Sequence, residues 1–181
     1  MMMKNIVKCV PVFFICFVLL FIGWFSGCTE NKITYMEDIP FTALDGQIRH
    51  LSEFSGKVLL LDLMGVNCQP CALQMMQLIK VSENYSSDQV AILSIDVWVA
   101  SGENAELLQK YITAFHDQVG VDLNWTFGLD DVNGSIEKVY ASTGVPTLYI
   151  FDKKGNIYYS HVGYEEYSSI AIKLDEILKK G

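Results

Sequence analysis

Leu60-Leu61-Asp62-Leu63-Met64-Gly65-Val66-Asn67-Cys68-Gln69-Pro70-Cys71 joins an apolar run, one acid and two cysteines separated by two residues. The run begins at Val58 and is broken before Gly65 only by Asp62, a pattern that suits a central strand covered on both faces. After Cys71, Leu73, Met76, Leu78, Ile79 and Val81 recur at helical spacing until Asn84-Tyr85-Ser86-Ser87 breaks the pattern. A buried strand therefore runs directly into a helix, and the cysteines stand at the junction. Two cysteines so spaced can close a small disulfide ring. They also present the Cys68 sulfur to the helix N-terminus, where unpaired N–H groups and the helix dipole favour the thiolate. The thiolate is the species that attacks a disulfide. Pro70 falls in the first turn, where a missing N–H costs little. Cys71, one turn in, is expected to be more buried and to act second.

A pair of this spacing is also half of a zinc site. A closed site needs two more ligands, and the chain has no second such pair and three isolated histidines, His50, His116 and His161. Copper handling by Cys68 and Cys71 with His161 as third ligand is the other metal reading. Asp62 inside an apolar run is costly unless neutral or hydrogen-bonded, so its pKa should rise. It is then placed either to take a proton from Cys71 or to sit partly hydrated at a strand end.

Outward from the cysteines, Phe41 to Leu51 surrounds the turn dipeptide Asp45-Gly46 and predicts a hairpin. Val90 to Val99 is a second buried-strand pattern, and Ser101 is the expected cap of a helix over Ala105 to Gln118. A short strand at Phe127-Gly128-Leu129, a short helix over Ile136 to Ala141 and a strand over Thr147 to Phe151 follow. The turn Asp152 to Asn156 leads to a strand over Ile157 to Val162, and an amphipathic helix over Tyr167 to Leu178 closes the chain. Strands alternating with helices give an α/β layered domain. Trp98, Trp125, Tyr158, Tyr159, Tyr164 and Tyr167 are expected at core or amphipathic surface positions, and Glu165-Glu166 as a solvated helix start.

The N-terminus is of another character. Cys9 to Phe25 carries no charge, follows Lys4 and Lys8, and precedes Ser26-Gly27-Cys28. At about 1.5 Å per residue it is near the lower limit for crossing a roughly 30 Å hydrocarbon core, so residues 1–27 are an export signal or a retained anchor. The basic flank keeps the N-terminus inside, which sends the rest outside the cytoplasm. Cys9 and Cys16 in this run behave as small hydrophobes. The mean hydropathy of +0.26 belongs mostly to this segment, which holds Phe13, Phe14, Phe17, Phe21 and Phe25. Beyond it the chain keeps all 21 acids against 11 bases. Such a body has a soluble acidic surface and no Lys/Arg cluster for nucleic acid. Residues 28–38 are polar and form a tether, and 39–181 form one domain.

The stretch Leu60 to Cys71 resembles the active-site strand and loop of the thioredoxin superfamily. Gly144-Val145-Pro146-Thr147-Leu148-Tyr149-Ile150-Phe151 resembles its proline loop, and Asp152 to Ile157 with His161-Val162-Gly163 resembles its terminal hairpin. The similarity covers roughly residues 36–180. The leader and the long segment between Asp96 and Pro146 make the chain most similar to the membrane-tethered TlpA/ResA-like thiol-disulfide oxidoreductases. The tetrad Phe25-Ser26-Gly27-Cys28 resembles a bacterial lipobox, with Phe25 where Leu is usual, and so implies possible lipidation at Cys28.

The resemblance implies a thioredoxin-like fold with a central mixed sheet flanked by helices and a cis Val145–Pro146 bond beside Cys68. Pro146 would otherwise be a strand-start proline. Catalytic roles fall on Cys68, Cys71, Asp62 and Pro146, and substrate contacts on Gln69, Pro70, Val145 and Thr147. No cofactor and no resident metal are implied. The partners implied are a disulfide-bearing extracytoplasmic protein, a membrane electron donor and the membrane itself. Met64 and Asn67 replace the aromatic residues usual in the loop, and Gln69-Pro70 replaces Gly-Pro. Substrate choice therefore does not transfer, whereas Pro70 and the TlpA/ResA-like resemblance imply a reductant of protein disulfides, with a disulfide-forming oxidant as the alternative. A non-catalytic binding module is the remaining alternative.

Overall fold

The computed structural model describes residues 35–141 and 143–180. Among these, seven strands form one sheet: β1 (Pro40–Ala43), β2 (Ile48–His50), β3 (Val58–Met64), β4 (Val90–Asp96), β5 (Thr126–Leu129), β6 (Thr147–Phe151) and β7 (Ile157–Val162), in the order β2-β1-β5-β4-β3-β6-β7. The sheet is mixed. β3 runs parallel to β4 and β4 to β5, whereas β6 lies antiparallel to both β3 and β7. Four helices cover it: α1 (Gln69–Asn84), α2 (Ala105–Val119), α3 (Ser135–Tyr140) and α4 (Tyr167–Lys180).

β3 is buried along its whole length, as its apolar run predicts. Strand alternation sends Leu59, Leu61 and Leu63 to one face, where they meet Leu93, Ile95, Phe151 and, from α3, Ile136 and Tyr140. Val58 and Leu60 go to the other face, against Leu78 and Val81 of α1 and Ile170, Leu174 and Ile177 of α4. A third cluster holds Met64, both cysteines, Met75 and Ile79 of α1, Leu108 and Phe115 of α2, and Phe127 and Leu129 of β5. Each such leucine contributes about 1.5–3 kcal/mol by leaving water, so the β3 register is strongly specified. That register puts Asp62 on the side of Met64, toward α1.

Three local readings change. The strand expected to reach Val99 ends at Asp96, because Asp96 Oδ1 accepts a hydrogen bond from Trp98 N at 2.9 Å and the chain turns into a 3-10 helix, Trp98–Ser101. Ser101 therefore ends that turn, which Gly102 closes at φ +102°, and the cap of α2 is Asn104, whose Oδ1 accepts from Leu107 N at 3.1 Å. Glu165, expected in solvent, is buried because Tyr159 Oη and Ser169 Oγ both donate to its Oε1 at 2.6 Å. The last residues of the 28–38 tether are also tied to the domain: Met36 N donates to Gly155 O, and Glu37 N donates to Tyr140 Oη. The leader, Cys9, Cys16 and Cys28 lie outside the described residues.

Candidate functional site

The C-terminal end of β3 delivers the chain to Gly65, Val66 and Asn67, and α1 starts immediately after Cys68. Cys68 is the N-cap of α1, with extended backbone, and its Sγ accepts from Cys71 N at 3.2 Å. Its carbonyl accepts from Cys71 N and Ala72 N. The Cys71 N–H is thus directed at the Cys68 sulfur, which stands at the positive end of the helix dipole, where negative charge is stabilised. Cys68 and Cys71 are joined in a disulfide with their Cα atoms 5.2 Å apart. Cys68 is 6% exposed and Cys71 1%, so the first sulfur is the nearer to solvent. Gln69 and Pro70 are exposed beside the pair, and Leu73 and Met76 extend that exposed face along α1.

The Val145–Pro146 peptide bond is cis. Val145 packs against the cluster that contains both cysteines. Pro146 is buried, and its carbonyl accepts from Gly163 N at 2.8 Å. Thr147 is buried as well, and its hydroxyl donates to Gly144 O at 2.6 Å. The Thr147 side chain therefore holds the proline loop and does not face solvent.

Asp62 is 1% exposed and has one side-chain partner, Ser94, whose hydroxyl donates to Oδ2 at 2.9 Å. Trp125 Nε1 in turn donates to Ser94 Oγ at 3.1 Å. Burial pushes the Asp62 carboxyl up to about 7, against a smaller lowering by the Ser94 bond. On α2, Tyr111 is pushed up to about 12, first by burial and then by the charge of Asp62. Ser94, Trp125 and Tyr111 were not singled out as partners of Asp62 from sequence. Their only signal was that Ser94 interrupts the apolar pattern of β4 as Asp62 does that of β3, and the two are register partners.

A second buried acid is bonded to the loop that leads into Cys68. Glu103, 6% exposed, accepts from Val66 N at 2.6 Å, Asn67 N at 3.0 Å and Asn67 Nδ2 at 2.7 Å. Trp98 lies over Gly65 so closely that a Cβ there would collide with its ring. Behind the pair, the Gln74 side chain accepts from Glu165 N at 2.8 Å and donates to Glu165 O at 3.2 Å, fixing α1 to the segment between β7 and α4. None of these contacts was legible in the sequence.

His161 lies on β7 opposite Leu148. Among the described residues no group of three His, Cys, Asp or Glu side chains is placed to hold a metal ion, and Cys68, Cys71 and His161 do not assemble into one. Nor is any described helix long and apolar enough to cross a membrane.

The chain is similar to known proteins. The Redoxin family model matches residues 24–174. The thioredoxin-like protein YneN of Bacillus subtilis is 30% identical over 138 residues, covering 76% of this chain and 75% of YneN. The thiol-disulfide oxidoreductase ResA of Bacillus cereus is 26% identical over 164 residues, covering 89% of this chain and 85% of ResA. Among solved structures, the exposed lipoprotein thioredoxin Etrx1 of Streptococcus pneumoniae superposes with a TM-score of 0.61 at 24% identity, over 77% of this chain and 99% of that one.

Proposed function

The chain belongs to the Redoxin family, as a TlpA/ResA-like thiol-disulfide oxidoreductase of the thioredoxin superfamily, and from that premise we propose that it is a membrane-tethered, extracytoplasmic exchanger that acts mainly as a reductant. The observation that carries the reading is the Cys68–Cys71 pair closed at the start of α1 with Cys68 as its N-cap.

In the reduced protein the Cys68 thiolate attacks one sulfur of a substrate disulfide. The substrate S–S bond breaks, a mixed disulfide forms through Cys68, and the other substrate sulfur leaves as a thiolate. Cys71 then gives its proton to the Asp62 carboxylate and attacks Cys68 Sγ. The mixed disulfide breaks, the second substrate sulfur leaves and takes up a proton, and Cys68–Cys71 closes. Two electrons have passed to the substrate. With its carboxyl near 7, Asp62 is divided between both forms at neutral pH, which suits a group that must accept and return a proton. Val145 and Pro146 line the approach to Cys68, exposed Gln69 and Pro70 meet the substrate, and Thr147 holds the loop.

The tethering half of the proposal rests on the uncharged run after Lys4 and Lys8, with residues 1–27 as signal or anchor, Cys28 as a lipidation site and the domain over 39–181. The described lipoprotein character of Etrx1 supports it. A membrane protein passing on cytoplasmic electrons then reopens the Cys68–Cys71 disulfide. Cys68→Ser should abolish reduction of insulin disulfides, and full residual activity would overturn the assignment of the nucleophile. The midpoint potential tests direction: a value toward about −270 mV supports a reductant, and one near about −120 mV an oxidant. Cell fractionation with Cys28→Ser tests the anchor.

A further inference from the structure

Glu103 is bonded to the Gly65–Asn67 loop and Asp96 ends β4 opposite Met64, and neither has a part in the exchange described above. Glu103 receives three N–H donors, two from the backbone immediately before Cys68. Both of its oxygens are engaged as acceptors, an arrangement that favours a carboxylate. Asp96 is fully buried. Its Oδ1 accepts from Trp98 N, and its Oδ2 is buried without another donor. We propose that Glu103 is a positioning residue for Cys68, holding the Gly65–Asn67 loop as a carboxylate while Asp96 beside it carries the proton of the pair.

The surroundings leave that division of charge as the favourable one. Asp96 lies opposite Met64 on β3 and Leu129 on β5. The next acid, Asp130, meets Asp96 only through its backbone N–H, and its own carboxylate is occupied by Ile136 N and Glu137 N at the start of α3. Among the described residues no Lys, Arg or His forms an ion pair with Asp96 or Glu103. Two adjacent buried carboxyls with no cation cannot both ionise cheaply. Burial first, and then the Glu103 carboxylate, hold the Asp96 carboxyl above its ordinary range. The neutral Asp96 can then turn its O–H toward Glu103, which has the donors and keeps the charge.

The consequence for Cys68 has a definite sign. A bare negative charge near a thiol raises its pKa, so a Glu103 that acted only through its field would hinder the thiolate. A Glu103 that holds the loop keeps the Cys68 sulfur against the Cys71 N–H at the helix start and favours the thiolate. Replacement by glutamine removes the field and the two-sided acceptor together, and the two roles move the thiol in opposite directions.

This inference rests on Cys68 being the attacking sulfur. In the reduced full-length protein, haloacetamide alkylation of Cys68 followed against pH should show a higher midpoint in Glu103→Gln, with alkylation at neutral pH slowed by about threefold or more. A lowered or unchanged midpoint overturns the positioning role. Carboxyl carbon NMR of the unsubstituted protein reads the pair itself: near about pH 6 Asp96 should appear as the acid and Glu103 as the carboxylate. The reverse assignment, or two carboxylates, overturns the shared-proton arrangement. Failure of unsubstituted protein to reduce insulin would instead count against the exchange reading, and neither of these two measurements depends on that assay.

Discussion

Asp62 and Glu103 are both buried carboxyls, one on the strand that leads to the cysteine pair and one bonded to the loop just before it, and their surroundings differ in the quantity that decides charge. Asp62 has one hydroxyl donor and sits on a strand covered on both faces. Glu103 has three N–H donors. Burial alone opposes ionisation of both, but each N–H directed at a carboxylate offsets that penalty. Asp62 is therefore poised to exchange a proton, and Glu103 to keep its charge and hold the chain. Burial makes an acid interesting, and the donors around it say what it can do.

The comparison is most exposed to Asp62→Asn. The Asp62 carboxyl sits near 7 in the folded protein against an ordinary 3.8, so the folded state keeps a proton that the unfolded chain has lost. The stability contributed is fully present below about pH 4 and is lost as pH rises to about 7, amounting to roughly 4 kcal/mol by linkage. Asp62→Asn should therefore be more stable than the parent at pH 8 and close to it at pH 4, as read by urea unfolding of the oxidised protein. It should also slow resolution of the mixed disulfide by about a hundredfold, the low end for a lost proton acceptor. Equal pH dependence of stability in the two proteins would remove Asp62 from the proton path.

Glu103→Gln should have the opposite sign. Hydrogen bonds to a charged acceptor are each worth about 1.5–3 kcal/mol, and glutamine keeps only one oxygen acceptor, so a net loss of roughly 2–4 kcal/mol is expected in the same unfolding experiment. A stabilising Glu103→Gln would erase the contrast between the two acids. Asn104→Ala, which removes the cap of α2 one residue after Glu103, should cost about 1 kcal/mol. A simultaneous rise in the Cys68 alkylation midpoint would show that the placement of Glu103 depends on where that helix begins.

The same contrast explains which parts of the site could be read beforehand. Asp62 was legible because it breaks an apolar run, and a polar residue in such a run must be buried with the strand. The two cysteines were legible because they are neighbours in sequence as well as in space, and Pro146 because Gly144 to Phe151 resembles the proline loop of the thioredoxin superfamily. Glu103 lies in Ser101-Gly102-Glu103-Asn104, where an acid is ordinarily a solvated loop residue. Its partners are Val66 and Asn67, more than 30 residues away. Only the turn forced by Asp96 at the end of β4 brings it to them, and the same turn displaced the expected cap from Ser101 to Asn104. Glu165 was misread for a similar reason: its burial depends on Tyr159 and Gln74, and nothing in Glu165-Glu166 distinguishes the buried member from the exposed one.

The Gln74–Glu165 contact has a consequence of its own. A carboxamide gives one hydrogen and receives another without ever acquiring charge, so this clasp on the first helix is insensitive to acidity, unlike the acids nearby. The clasp moors the helix at its second turn, just beyond the bridged sulfurs. The loop before the first of those sulfurs lies beyond the reach of this clasp and is held instead by its own bonds to Glu103.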